Sequence, residues 1–505
     1  MDQTVAAAEE HHGKDMVERW NYGLRLSIAN AALFFFLSLA AYLLEIRDIT
    51  YPTIIESIFA LGSLYCFIVL IRSEGELAII GYFVLSCGFY FGLGTIYSTT
   101  LVSYQFNTLF STDDQWLLLN KINLINALSI LTLLCVAWPL SKRTQRAAAS
   151  EFSIAQIASL VSPLRRPLFF LSIPVVVILA LGSFPEPENP AWRTTFLLMD
   201  AIGYSAILLC GMEWSRISLF EKSTTFIVMI AMSAVGLLTL SKAATLLPII
   251  SLTGGLMLNN RVSARLIVGA AIFMIVSFLV LAVLVNGSRG NFATLPQNTM
   301  RERITILQGT ISTSVTAVEG SAEGGGEVLQ IALGVLNRFG DAGIQAFIVQ
   351  RYDSGKPSNS LHNAWQILVP RFLWPGKPDI SAYGLELEAQ ITNVKIQTWL
   401  GPTFMGEAYW NGGWLYVVLV SIMMGLEIGW FTRKWNKFRE EGVRHIGILI
   451  FAVPVMIVYL PVESWITLTY VGQAGFAALL VLAGDIAGPM VVELIRPKSQ
   501  LAPAP

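Results

Sequence analysis

His362 and Glu407 are the two residues of this chain best suited to moving a proton. Both lie in a stretch that also gathers cations and aromatic rings. A histidine titrates near neutrality, so it serves as a general base without help; a glutamate needs a dry site to do so. The cations are Arg289, Arg338, Arg351, Arg371 and Lys377, with Lys242 at the end of a preceding apolar segment. Arginine offers a two-pronged fork and lysine a point charge, and both suit a phosphate or diphosphate. Arg289 sits in Asn286-Gly-Ser-Arg-Gly290, whose backbone N–H groups are free to cradle an anion. Trp365, Trp374, Tyr409 and Trp410 suit stacking on sugar rings. Each type also has a plainer reading: a packed histidine, snorkelling cations and an interfacial aromatic belt.

Other chemistries lack their residues. His11 and His12 lie near the N-terminus and His445 beside Arg444, so no histidine or cysteine cluster has metal-ligand spacing. Cys66, Cys87, Cys135 and Cys210 all fall in apolar segments and read as small buried hydrophobes, not a disulfide framework. There is no phosphate-binding loop, dinucleotide fingerprint or Gly-x-Ser-x-Gly elbow, and no paired aspartates of the kind that hold a metal–sugar-nucleotide. Nothing points to nucleic acid. Asp341 and Asp379 are weaker candidate acids.

The elements that must position these residues are membrane spans. The chain is 54% hydrophobic and 13% charged, against about 25% charged for a soluble domain. At about 20 apolar residues per span, the hydropathy pattern predicts an all-α polytopic protein of about 12 transmembrane helices, near 25–44, 54–71, 77–97, 119–140, 167–184, 193–212, 223–240, 243–258, 266–285, 411–431, 445–463 and 466–487. The expected organisation is a tail at 1–23, a transmembrane region at 24–285, one long loop at 286–410, a second transmembrane region at 411–488 and a tail at 489–505. The acidic start is not a signal peptide, so the first span is expected to be retained.

Positive charge sets the orientation. With the N-terminus inside, cytoplasmic segments hold 20 Lys/Arg, short outer connections hold 4, and the long loop holds 9. Long loops escape the positive-inside rule, so 20 against 4 is the contrast that decides. Both termini are expected in the cytoplasm and the long loop outside. Within that loop, Met300–Val318 reads as a polar-faced helix, Glu319–Glu327 as a flexible hinge, and Val328–Val349 as an apolar helix lying on or dipping into the outer leaflet. A re-entrant pair of 328–349 with 360–374 also preserves the topology.

Pro370-Arg-Phe-Leu-Trp-Pro-Gly-Lys-Pro378, followed by Gly401-Pro-Thr-Phe-Met-Gly-Glu-Ala-Tyr-Trp-Asn-Gly-Gly413 leading into a span, resembles the bacterial oligosaccharide repeat-unit polymerases, the Wzy or O-antigen polymerase class. The layout of many spans with one dominant outer loop is similar too. His362-Asn363 resembles the His-Asn element of the related O-antigen ligases; Leu373 and Trp374 stand where those carry a glycine. The resemblance implies a GT-C-like, metal-independent glycosyltransferase of the bacterial inner membrane that needs no cofactor. Its substrates would be polyprenyl-diphosphate-linked oligosaccharides, with membrane lipid around it and a chain-length regulator and flippase of the same pathway as partners. Three other roles compete: a ligase passing glycan to a lipid acceptor, a transporter of lipid-linked glycans, and a non-enzymatic assembly scaffold. A transporter is expected to set polar groups deep within its spans. The ionisable exceptions recognised in the spans are Asp200, Glu427 and Asp485, which favours chemistry at the surface.

Overall fold

The computed structural model describes residues 2–48, 50–74, 79–96, 115–142, 154–182, 190–239, 242–259, 269, 301–309, 342–369, 374, 376–377, 382–392, 401–459 and 467–495. Among these, every regular element is helical. Eight helices among the described residues are long and apolar enough to cross a membrane: Val17–Leu43, Thr50–Arg72, Ile79–Ile96, Gln115–Ser141, Ser162–Leu179, Leu219–Leu238, Phe404–His445 and Tyr470–Leu494. The architecture is that of a helical polytopic membrane protein. Two shorter apolar helices, Met199–Met212 and Ala244–Leu256, fall on expected spans. The span expected at 266–285 lies outside the described residues apart from Gly269.

Contacts divide the chain into two compact units. The first takes residues 1–151, 336–441 and 454–480. It contains α1 (Asp2–Leu43), α2 (Thr50–Glu74), α3 (Ile79–Cys87) with a π turn at Gly88–Leu93, and α4 (Gln115–Ser141). The second takes residues 152–335, 442–453 and 481–505. Its long helices are α5 (Ile154–Gly182), α6 (Pro190–Met212), α7 (Leu219–Leu238) and α8 (Lys242–Asn259). Helical structure begins at Asp2, so residues expected as a polar tail continue into the first span.

Small residues set the packing in the first unit. Phe34 of α1 stacks on Phe59 of α2 with ring centroids 4.2 Å apart. Asn30 of α1 donates to Ser63 Oγ at 3.2 Å. Its carboxamide fills the space that a Cβ on Gly62 would need. The π turn lies so close to α2 that a Cβ on Gly88 would fall 2.6 Å from Ser63 Cβ, and one on Gly92 would fall 2.7 Å from Ala60 Cβ. Close approach of helices at glycine is how apolar spans associate where burial from water provides no drive.

The chain then re-forms in the first unit as α9 (Ala342–Asp353), a 3₁₀ helix (Ser360–Leu368), α10 (Ala382–Thr392) and α11 (Phe404–Glu441). α11 is two helices across a break: Gly412 and Gly413 are non-helical, and Gly413 has φ 61°. Only glycine adopts that geometry without cost, and Tyr352 Oη fills the space a Cβ there would claim, 2.7 Å away. After the break, α11 packs along α4. Gly425 and Gly429 face Leu133 and Leu140 there, with 2.6 and 2.8 Å from an added Cβ to the nearest atoms.

α9 shows how residues 342–353, which include the end of the expected apolar loop segment, lie against a span. Its C-terminal Asp353 pairs with Lys121 of α4, and its Gln345 pairs with Asn126. Eight residues of α9, about 12 Å, therefore run beside five residues of α4, about 7.5 Å. The helix dips along a span and does not lie flat across its end.

The segment expected as a span at 445–463 is broken into a 3₁₀ turn (Gly442–His445) and the short helices α12 (Gly447–Ile450) and α13 (Ala452–Tyr459). Pro454 has no N–H for the Ile450 carbonyl, which instead accepts the Ser205 hydroxyl. The last span starts as a π helix (Thr467–Ala474) and continues as α14 (Gly475–Ile495). Cys66, Cys87 and Cys210 are buried as expected, whereas Cys135, on α4, is exposed.

Candidate active site

The first turns of α11 form an enclosed polar site. Phe404 to Trp410 are buried without interruption. Thr403 caps the helix: its hydroxyl oxygen accepts from the Gly406 N–H at 3.0 Å. The same oxygen accepts from Gln345 Nε2 at 2.6 Å. Thr403 has φ 58°, a strained conformation for a β-branched residue. The cap and the Gln345 contact hold it there, and such held strain gathers at functional sites.

Glu407 lies one turn further on and is fully buried. Its Oε1 accepts the Ser360 hydroxyl proton at 2.7 Å. Asn411 Nδ2 donates to Ser360 Oγ at 3.0 Å and to the Glu407 carbonyl at 2.9 Å. Asn411 Oδ1 accepts from the Leu361 N–H at 3.1 Å. One carboxylate, one hydroxyl and one carboxamide thus fasten the first turn of the 3₁₀ helix to the start of α11. His362 is the third residue of that 3₁₀ helix and is exposed. The accessible base candidate and the buried one are therefore joined through Ser360, two residues from His362.

Aromatic side chains enclose this site. Phe404 meets Phe83 of α3 at 6.5 Å and Tyr470 of the π helix at 5.3 Å between ring centroids. The π helix also packs against the 3₁₀ helix. π turns occur frequently at functional positions.

The expected sugar platforms divide into two pairs. Tyr409 and Trp410 are buried as packing anchors. Tyr409 Oη donates to Asp353 at 3.0 Å, and its ring meets Tyr352, Trp414 and the Lys121 ammonium. Trp410 Nε1 donates to the Lys356 carbonyl at 3.0 Å, and its ring joins Ile348 and Leu387 in a core cluster. Trp365 and Trp374 form the other pair, stacked at 5.8 Å, with Trp365 56% exposed.

The cations divide as well. Lys377 Nζ donates to the Val369 and Ile367 carbonyls, at 3.0 and 3.3 Å, which finishes the end of the 3₁₀ helix. Arg351 donates to Gln390 Oε1 of α10 at 2.6 Å and lies over the Phe347 ring. Lys242 is the first residue of α8, and its side chain lies outside the described set. Arg289, Arg338 and Arg371 lie outside the described residues, as do Asp341 and Asp379.

Three features escaped the sequence reading. Asn120, Asn123, Asn126 and Ser129 recur every third residue on α4 and all are buried; that spacing inside a span was the available signal. Asn120 donates to the Ile46 carbonyl, Asn126 exchanges two bonds with Gln345, and Ser129 meets Ser421. Glu56 is buried in α2 on Asn123. It is an ionisable group inside a span that belongs with Asp200, Glu427 and Asp485. Ser360 and Asn411 are ordinary in type, and only the fold sets them on Glu407.

No family model, no curated protein and no solved structure matches this chain.

Proposed function

We propose that this chain is a GT-C-like, metal-independent glycosyltransferase of about 12 spans. It polymerises polyprenyl-diphosphate-linked oligosaccharide repeat units into a surface polysaccharide, at the outer face of the bacterial inner membrane, with both termini cytoplasmic. The motif resemblance over 370–378 and 401–413 supports this reading. The observation that carries it is the join between the motif's Glu407 and the 3₁₀ helix that presents His362.

The chemistry assigns each residue a task. His362 accepts the proton from the acceptor hydroxyl as that oxygen bonds to the donor's anomeric carbon. The bond from that carbon to the lipid diphosphate breaks, and the diphosphate leaves with its electron pair. Arg289 and Arg371 stabilise the departing charge, as fixed cations do best in a site that excludes water. Glu407 positions the histidine's helix through Ser360 and does not itself meet substrate. Trp365 and Trp374 give the glycan an apolar face.

The test is extension of purified lipid-linked repeat units by reconstituted protein, with donor binding measured separately. His362→Ala is expected to bind donor and lose about 10²–10⁴-fold in rate. Extension by His362→Ala at the wild-type rate would overturn the assignment. Glu407→Ala is expected to lower the rate and, unlike His362→Ala, to loosen proteolytic protection of 354–368.

A second reading, transport of lipid-linked glycans, gains one observation: the polar stripe of α4 and the buried Glu56 lie within spans. Vesicles holding only donor lipid separate the two. Movement of the donor between leaflets without glycan extension supports the transporter.

A further inference from the structure

Glu56 and Asn123 make a contact with two loose ends. Asn123 Nδ2 donates to Glu56 Oε1 at 2.7 Å, and both side chains are buried to within one per cent. Glu56 Oε2 and Asn123 Oδ1 are also buried, and neither has a hydrogen-bond partner. Both orphans are oxygens, one on each side of the same contact. A carboxylate and a carboxamide cannot satisfy both, because each of the two orphan atoms is then an acceptor.

A proton resolves the mismatch. Placed on Oε2 it makes a donor, and the partner within the pair that lacks one is Asn123 Oδ1. The acid and the amide then close a ring with two hydrogen bonds. The same helix shows the amide form of that ring three residues later, where Asn126 Nδ2 donates to Gln345 Oε1 at 3.0 Å and Gln345 Nε2 returns a bond to Asn126 Oδ1 at 3.1 Å.

Among the described residues, the charged surroundings offer Glu56 no substitute. On α4, the Lys121 ammonium is taken up by Asp353. At this end the titratable groups are Tyr42 and Glu45 of α1, Arg47 and Asp48 of the connection, Tyr90 of the π turn and Tyr51 of α2; none of them bonds to Glu56, and Arg47 is exposed with Glu45 at 4.0 Å. Because α1 and α2 run antiparallel with Phe34 on Phe59, Arg25 of α1 lies about 18 Å further along. An ion buried without a counter-charge is the costliest state open to a carboxyl group.

We propose that Glu56 and Asn123 form a proton-binding site inside the membrane-spanning bundle. The ligand is one proton, taken from water onto Glu56 Oε2 and held in a ring with Asn123; no other bond forms or breaks. The site stands independently of the glycosyltransferase reading, since it involves none of the residues at Glu407. Its consequence is that α2 and α4 are joined by a neutral pair while the proton is bound, and part when it leaves.

The experiment is infrared spectroscopy of the full-length protein in lipid nanodiscs, with melting followed against pH. Wild type minus Glu56→Gln is expected to show the carbonyl stretch of a protonated carboxylic acid, shifted in heavy water. Glu56→Gln reproduces the amide ring of Asn126 and Gln345, so it is expected to melt with wild type at neutral pH and to lose the alkaline fall in stability that wild type shows. Absence of the acid band overturns the proposal. So does a Glu56→Gln protein that fails to fold while Glu56→Asp folds, because charge would then be what the site needs. A wild type stabilised by sodium over choline at fixed pH, through a response absent in Glu56→Gln, overturns it in favour of a metal cation.

Discussion

The two compact units of this protein are held by different polar chemistry. In the first, neutral groups bridge the elements, Asn120 to a carbonyl, Asn126 to Gln345, Gln345 to Thr403 and Ser129 to Ser421, and the buried carboxyl groups of Glu56 and Glu407 meet an amide and a hydroxyl. In the second, Arg165 of α5 is buried between two glutamates, with Glu213 at 2.6 Å and Glu221 at 3.0 Å. Glu221 also closes a capping box with Ser218 at the start of α7. Neutral amides cost little to desolvate and can be spread through a span. Charges cost far more and are kept where they neutralise one another. The described contacts of Glu407 include a hydroxyl and a carboxamide, whereas the second unit sets a charged knot beside Trp214 and the Lys222 ammonium.

That contrast is broken most readily at the knot. Arg165→Ala leaves Glu213 buried without its cation and Glu221 with only the exposed Arg166 at 4.0 Å, and stranding a buried charge typically costs about 3–5 kcal/mol. A large loss of thermal stability in detergent is expected, and Arg165→Met with Glu213→Leu should recover much of it, since well-packed apolar replacements of a buried pair are often tolerated. If Arg165→Ala alone melts with wild type, charge does not hold the second unit.

The neutral network should respond less sharply. Gln345→Ala strips Asn126 of its partner and Thr403 Oγ1 of a donor, at about 1–3 kcal/mol for each group left unsatisfied. Thr403 then loses one of the two contacts that hold its φ of 58°. A second effect follows at the site: extension activity is expected to fall with the stability, because Thr403 starts the helix that carries Glu407. Loss of stability with unchanged activity would separate the network from the site.

The backbone break gives the next effect. Gly413→Ala forces a Cβ onto φ 61° and ψ −149°, a backbone conformation nearly confined to glycine, at roughly 1–3 kcal/mol, and against Tyr352 as well. Proteolysis near 412–413 and the melting temperature both report it. A Gly413→Ala protein indistinguishable from wild type would show that the two halves of α11 can align as one helix.

Some of this was legible in the chain. Apolar runs marked the spans, because hydropathy acts locally. His362 and Glu407 were visible as types. Their relation was not, because Ser360 and Asn411 become meaningful only when a loop helix folds back onto α11. Tyr409 and Trp410 were indistinguishable by type from Trp365 and Trp374, yet one pair is core and the other is partly open. Glu56 was passed over because one acidic residue in an apolar run hardly moves a hydropathy average. The Asn stripe was missed because its period of three shows only when a span is read by faces.

The smallest expected effect tests whether the neutral contacts of the first unit act as glue or as spacers. Ser421 Oγ donates to the Val417 carbonyl at 2.6 Å, so the hydrogen in its 2.5 Å contact with Ser129 comes from Ser129. Ser129→Ala removes that hydrogen bond but leaves Ser421 bonded to its own helix. Interhelical hydrogen bonds of this kind average about 0.6 kcal/mol in membranes, so a fall in melting temperature barely above error is expected. Ser129→Leu is different. α4 and α11 approach so closely at Gly425 and Gly429 that one added Cβ would already crowd Leu133 and Leu140, and overpacking typically costs about 1–3 kcal/mol. Leucine at this position is therefore expected to destabilise far more than alanine, which would mark the serine's smallness as its main contribution. Equal effects from the two substitutions would return the hydrogen bond to first place and make the first unit's polar chemistry as decisive as the charged knot of the second.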